Sequence, residues 1–157
     1  MLKNSYEGVQ NIVLCGMGGS AIGGDLSKSL VNSSLKVPMV VNRNYSMPNW
    51  VNSNTLVIAS SYSGNTEESL AAYHEAISKG ARVVGITTGG KLASLLDDNN
   101  NDKVLIPAGL QPRAAVAFSF IPLLYLLEKL KATDDKVLSE LDAAIEKIRS
   151  MKDVYAL

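Results

Sequence analysis

Short apolar runs alternate along this chain with longer segments of mixed character. Ile12–Cys15, Pro38–Val41, Leu56–Ala59, Arg82–Thr87 and Lys103–Ile106 are brief, mostly rich in Val and Ile, and bounded by turn residues. Near-continuous apolar runs of this length suit strands covered on both faces. Helical patterns lie between them, over roughly Ser20–Val31, Asn65–Lys79 and Lys91–Leu96. The alternation predicts an α/β fold: a five-stranded parallel sheet with right-handed crossovers and helices on both faces. A doubly wound, three-layer arrangement with strand order 2-1-3-4-5, as in flavodoxin-like folds, is expected.

Two longer helices follow the fifth strand. Ala114–Leu130 is apolar on nearly every face. This predicts burial on all sides, in the core or against another subunit, with a kink at Pro122. Asp134–Arg149 is amphipathic, with Val137, Leu141, Ala144 and Ile148 in one stripe flanked by Leu138 and Ile145. Asp97–Asp102 reads as a polar surface turn with no further role. Residues 1–150 form one domain in this reading. Residues 151–157 end in the apolar, uncapped Val154-Tyr155-Ala156-Leu157 and read as the start of a linker to a second domain.

Composition narrows the function classes. The 157 residues are 46% apolar, enough for one full core. Fifteen basic and fifteen acidic side chains cancel, and no stretch is strongly basic. Charge-driven binding to nucleic acid or a membrane surface is therefore not expected. The single cysteine, Cys15, excludes a disulfide within the chain, and with only the distant His74 it gives no metal-ligand spacing. Met1–Glu7 has no signal-peptide core. The longest apolar stretch, the fourteen residues Ala114–Leu127, is too short to cross a bilayer. A soluble, cytoplasmic protein is expected.

Parallel strands place their carboxyl-terminal loops on one edge of the sheet, where open α/β folds bind ligands. Here those loops are Gly16–Ser20, Ser60–Thr66, Thr87–Gly90 and Pro107–Arg113. Gly16-Met17-Gly18-Gly19-Ser20 and Ser61-Tyr62-Ser63-Gly64-Asn65-Thr66 each lead a strand into a helix N-terminus through Gly, Ser and Thr. Such loops aim backbone N–H groups and hydroxyls at an anion, backed by the helix dipole. Two of them together predict a small phosphorylated ligand gripped from two sides.

Other readings compete for the same residues. Gly16–Ala21 fits the dinucleotide pattern Gly-x-Gly-x-x-Ala. However, Val41-Asn42-Arg43-Asn44 lacks the carboxylate that NAD wants at the end of the second strand, although Arg43 suits the extra phosphate of NADP. The glycines also fit a plain tight turn, and Gly23 and Gly24 suggest close helix–sheet packing. Asn65 with Glu68 resembles a capping box, which leaves Ser61, Ser63 and Thr66 without a reason. Glu67 and Glu68 are expected to turn away from a bound phosphate, and Glu67 is a candidate general base. His74 falls mid-helix and reads as a surface or packing residue.

Gly18-Gly19-Ser20 and Ser61-x-Ser63-Gly64-Asn65-Thr66-Glu67-Glu68 resemble the signature of the sugar isomerase (SIS) domain. The longer strings Gly16–Asp25, Ser61–Glu68 and Gln111-Pro112-Arg113 resemble its phosphoglucose/phosphomannose isomerase branch. The resemblance implies that Gly18, Gly19, Ser20, Ser61, Ser63 and Thr66 bind the phosphate of a hexose 6-phosphate. It also implies that Arg113 stabilises an enediolate, that no cofactor is used, and that the protein is a homodimer. A carboxylate partner such as Glu67 or Asp25 is the plainer reading of Arg113. In that family two SIS domains lie in tandem, and a catalytic Glu and His come from the stretch that opens the second, beyond the matching part of this chain. A second SIS domain or companion chain is therefore expected. A non-catalytic sugar-phosphate sensor that regulates a partner is the alternative.

Overall fold

The computed structural model describes residues 2–155. Five parallel strands form one sheet in the order β2-β1-β3-β4-β5. They are β1 (Asn11–Cys15), β2 (Met39–Asn42), β3 (Thr55–Ser61), β4 (Arg82–Thr87) and β5 (Asp102–Leu105). Central β3 is buried along its whole length, as a strand covered on both faces must be. Among the described residues six α-helices accompany the sheet: α1 (Gly18–Val31), α2 (Glu67–Ser78), α3 (Gly90–Asp98), α4 (Val116–Lys129), α5 (Val137–Ser150) and the single turn α6 (Lys152–Tyr155). The expected linker over 151–157 falls partly on Ala156 and Leu157, which lie outside the described residues.

Two apolar layers sandwich the sheet. On one face Ile12, Leu14, Leu56, Ile58, Val84 and Ile86 meet α1, α4 and α5 through Val31, Leu123, Leu127 and Leu141. On the other, Val13, Val57, Ala59 and Val83 meet α2 and α3 through Ala72, Tyr73, Leu92 and Leu96. The period-two alternation of strand side chains assigns each residue to its layer. Gly23 and Gly24 serve different neighbours. A Cβ on Gly24 would sit 2.7 Å from Leu14 of β1, the expected helix–sheet contact, whereas one on Gly23 would sit 2.6 Å from Ser119 Cβ, so that glycine lets α1 and α4 close on each other.

The two long carboxyl-terminal helices and the turn before β5 depart in part from expectation. Of the two expected covers for α4 the core supplies most: Leu123, Leu124, Leu126 and Leu127 are buried against the sheet, α1 and α5, while Phe120 and Ile121 are half-buried and Tyr125 is exposed. Pro122 lies inside α4, which continues on both sides of it. The exposed apolar stripe lies on α1 instead, at Ile22, Leu26 and Leu30. On α5 only the first half of the stripe is covered: Val137 and Leu141 are buried, while Ala144 is exposed and Ile148 is 65% exposed. The polar turn before β5 also has a structural task. Asp102 is buried and accepts the N–H groups of Lys3 and Asn4 and the Tyr6 hydroxyl, at 2.7, 2.9 and 2.9 Å. It pins the amino-terminal segment to the sheet.

Candidate functional site

Strand order 2-1-3-4-5 reverses direction between β1 and β3, and that switch point, beyond the strand ends, is where an open α/β sheet has its ligand crevice. The two loops rich in Gly and Ser flank it. Cys15 is in register with Ala59, and a Cβ on Gly16 would sit 3.0 Å from the Ser60 carbonyl oxygen. The two loops thus leave the sheet side by side. They feed helices on opposite faces of the sheet, so α1 and α2 converge on the crevice from its two sides.

In the first loop, Met17 is the N-cap and Gly18, Gly19 and Ser20 form the first turn of α1. Gly18 has φ +51°, which favours glycine. No side chain caps α1, and its first turn holds no acidic residue. The amide ends and the positive dipole end therefore face the crevice unneutralised.

The second loop departs from the capping-box expectation. Thr66, not Asn65, is the N-cap of α2, and no side chain caps that helix. Asn65 instead accepts the Lys91 N–H on its Oδ1 at 3.1 Å, capping the neighbouring α3, while its Nδ2 donates to the Ser63 carbonyl at 3.2 Å. The serines have local partners as well. Ser61 Oγ accepts the Gly64 N–H at 3.1 Å and lies 3.0 Å from Thr66 Oγ1, and Ser63 Oγ accepts the Asn65 N–H at 3.2 Å. These bonds hold the hydroxyls of Ser61, Ser63 and Thr66 in one tight loop at the mouth of α2. Leu92 N–H to Gly64 O and Thr88 N–H to Tyr62 O, at 2.9 and 3.0 Å, brace that loop from the third one. The Thr87–Gly90 loop is a support, a role that its Gly-Gly pair signalled only in general terms.

Glu67 and Glu68 occupy the first turn of α2, where carboxylates favour the helix dipole. Glu67 is exposed and Glu68 half-buried. The Glu68 carboxylate, with some burial and Glu67 adding to it, pushes the Tyr45 phenol up from its ordinary range. This puts the pair toward the loop after β2. Arg43 pairs with Asp25 on α1, which takes up both the cation weighed for a nucleotide phosphate and one carboxylate weighed for Arg113. His74 is exposed on α2, its ring edge-on to Tyr73 at 5.6 Å. Burial pushes the Cys15 thiol up to about 12, which makes it an inert core residue.

Arg113 lies in a 3-10 turn, Pro112–Ala114, just ahead of α4 rather than in the helix itself. It is exposed and makes no ion pair among the described residues. Its turn packs on α1, and the segment leading to it is bonded to Tyr62 of the second loop. Among the described residues there is no cluster of His, Cys, Asp and Glu fit to hold a metal ion, and no helix long and apolar enough to cross a membrane. An apolar groove of about 430 Å³ between α1, α4 and α5 is lined by none of the loops at the strand ends.

Known proteins are similar to this chain in sequence and fold. A bifunctional phosphoglucose/phosphomannose isomerase of Caldicellulosiruptor bescii is 52% identical over 134 residues, covering 83% of this chain and 40% of that protein. One from Thermoplasma acidophilum is 43% identical over 136 residues, covering 84% and 42%. The chain thus spans less than half the length of these relatives. Among solved structures, the C-terminal domain of glucosamine-fructose-6-phosphate aminotransferase from Francisella tularensis superposes with a TM-score of 0.69 at 18% identity. It covers 93% of this chain and 44% of that one, a likeness of fold. The SIS domain model matches residues 6–124, and the chain belongs to the SIS domain family.

Proposed function

We propose that this chain is the phosphate-gripping half of an aldose–ketose isomerase that interconverts glucose 6-phosphate or mannose 6-phosphate with fructose 6-phosphate. The observation that carries the reading is the pair of uncapped helix N-termini meeting at the β1/β3 crevice. The 52% identity to a phosphoglucose/phosphomannose isomerase supplies the substrate class. In this reading the amides of Gly18 and Gly19 and the hydroxyl of Ser20 meet the phosphate from the α1 side. Ser61, Ser63 and Thr66 meet it from the α2 side.

Isomerisation moves one proton between C1 and C2 through a cis-enediolate. Charge develops on the C1 and C2 oxygens as that proton leaves. A fixed guanidinium suits it, because Arg stays ionised and works most strongly where water is displaced. Arg113 takes that role. The general base and the ring-opening acid are assigned to the companion half, a second SIS domain or partner chain within a homodimer, and Glu67 is the candidate base if this chain acts alone.

Calorimetric titration of fructose 6-phosphate into the wild type and Ser63→Ala tests the reading. Weaker binding to the variant, together with competition by inorganic phosphate, is the expected result. Equal affinity for both removes the second loop from the site. Full isomerase activity from the isolated chain would shift proton transfer onto Glu67 or His74.

A further inference from the structure

The stretch that leads into the Arg113 turn has little to hold it. Pro107–Gln111 is exposed and lacks regular structure, and Gly109 has φ +98°. A guanidinium carried on such a segment is useful to a developing oxyanion only if its backbone is held in place. One side chain does this. The Tyr62 hydroxyl donates to the Pro107 carbonyl at 3.0 Å, and the same oxygen accepts the Leu110 N–H at 3.0 Å. Both hydrogen-bonding capacities of the phenol are thus used on the segment, across 45 and 48 positions of sequence.

Tyr62 is itself well held. Its side chain packs against the apolar layer shared by α1 and α4, and its carbonyl accepts the Thr88 N–H at 3.0 Å. It stands between Ser61 and Ser63 in the second loop. The other end of the Arg113 segment, the 3-10 turn, rests on α1. The segment therefore bridges the second loop and α1, the helix that the first loop opens.

We infer that Tyr62 is a positioning residue for Arg113, locking the arginine-bearing segment to the second loop of the site. The inference rests on the function proposed above, because it gives a purpose to the placement of Arg113. It assigns Tyr62 no contact with the phosphate.

The test uses the full chain as wild type, Tyr62→Phe, Arg113→Ala and the double variant. Phe keeps the ring and its packing and removes only the hydroxyl. Two probes are titrated: fructose 6-phosphate, and a five-carbon aldonic acid 5-phosphate whose carboxylate carries the charge of the enediolate oxygens. Tyr62→Phe is expected to bind fructose 6-phosphate within about twofold of wild type and to lose about tenfold on the aldonate, as a displaced guanidinium would. Arg113→Ala should lose at least as much, and the double variant no more than Arg113→Ala. Wild-type behaviour of Tyr62→Phe on both probes overturns the inference. So does equal loss on both probes, which would make the hydroxyl a general brace of the loop, and so does an additive double variant. A wild type that binds neither probe overturns the proposed function instead, and the inference falls with it.

Discussion

The braced second loop can be tested by a pair of glycines with the same backbone conformation and different surroundings. Gly64, inside the loop, has φ +69°, and Gly80, just after α2, has φ +71°. Alanine at either position is strained by about 1 kcal/mol, because its Cβ crowds the following carbonyl in the left-handed region. At Gly80 a Cβ meets nothing within 4 Å, and the penalty stops there. At Gly64 it would overlap the Gly89 carbonyl oxygen and come within 2.8 Å of that carbonyl's carbon and 2.9 Å of Thr87 Oγ1. These are mostly backbone atoms and cannot rotate away. Relief requires parting the two loops, which strains the Leu92–Gly64, Thr88–Tyr62 and Lys91–Asn65 bonds together. Overpacking of this kind costs about 1–3 kcal/mol. Gly80→Ala should therefore destabilise by about 1 kcal/mol and Gly64→Ala by about 2–4 kcal/mol. Each kcal/mol lowers the melting temperature by about 2–4 °C in a chain of this size. Equilibrium urea unfolding of the two variants reads the difference. The proposed site adds a second readout: Gly64→Ala should weaken phosphate binding and Gly80→Ala should not. Equal destabilisation by the two substitutions would mean that the loops are not pressed together, and the bracing argument fails.

The other expectations use the same unfolding measurement or a simple chemical probe. Gly23→Ala should destabilise by about 1–3 kcal/mol despite the better helix propensity of Ala, because the new Cβ meets Ser119 Cβ at 2.6 Å and the Phe120 backbone at 3.1 Å. Gly24→Ala should be milder, since the atom it meets is the movable end of the Leu14 side chain. Burial raises the Asp102 carboxyl, but the N–H groups of Lys3 and Asn4 and the Tyr6 hydroxyl outweigh it and hold the group below the usual carboxylate range. A depressed folded value means that this stabilisation is present above the unfolded value of about 4 and is lost as pH falls through the folded one. Urea stability of the wild type should thus drop more between about pH 4 and pH 2 than that of Asp102→Asn, which is already weakened at neutral pH; parallel curves would refute the clamp. Cys15, with its thiol pushed up to about 12 and fully covered, should react with a thiol reagent only when urea unfolds the chain.

How much of this was legible before any coordinates follows from what each interaction spans. Strand order and the side of each helix follow from apolar runs and right-handed crossovers, which are short-range patterns with a topological rule attached. The Gly16–Ser20 and Ser61–Thr66 loops were legible for the same reason: each is a contiguous strand–turn–helix signal. Contacts between elements distant in sequence were not legible. Asn65 looked like a cap for the helix that follows it, yet its side chain serves α3, because the third loop lies against the second and offers the Lys91 N–H. Asp102 closed a run of Asp and Asn that reads as solvent-facing, and only the returning amino-terminal segment makes it a buried acceptor. Tyr62 stands between two serines, where nothing local distinguishes a phenol that will bond to Pro107 and Leu110.

The treatment of the three helix N-termini at the strand ends bears on where an anion belongs. Each of α1, α2 and α3 begins at that edge with unsatisfied amides and a partial positive charge, which at α2 alone is offset in part by Glu67 and Glu68 of its own first turn. The chain closes one of them itself: Asn65 caps α3 from the adjoining loop. For α1 and α2 it offers no side-chain cap, although Ser61, Ser63 and Thr66 lie close by and are the residue types that cap helices best. Those hydroxyls bond instead within their own loop. An uncapped end forgoes about 1 kcal/mol of stability, and at this edge it does so at the two helices that meet across the β1/β3 crevice and not at the third. Stability alone would cap all three alike. A ligand that brings its own negative charge to the crevice gives a reason for the difference.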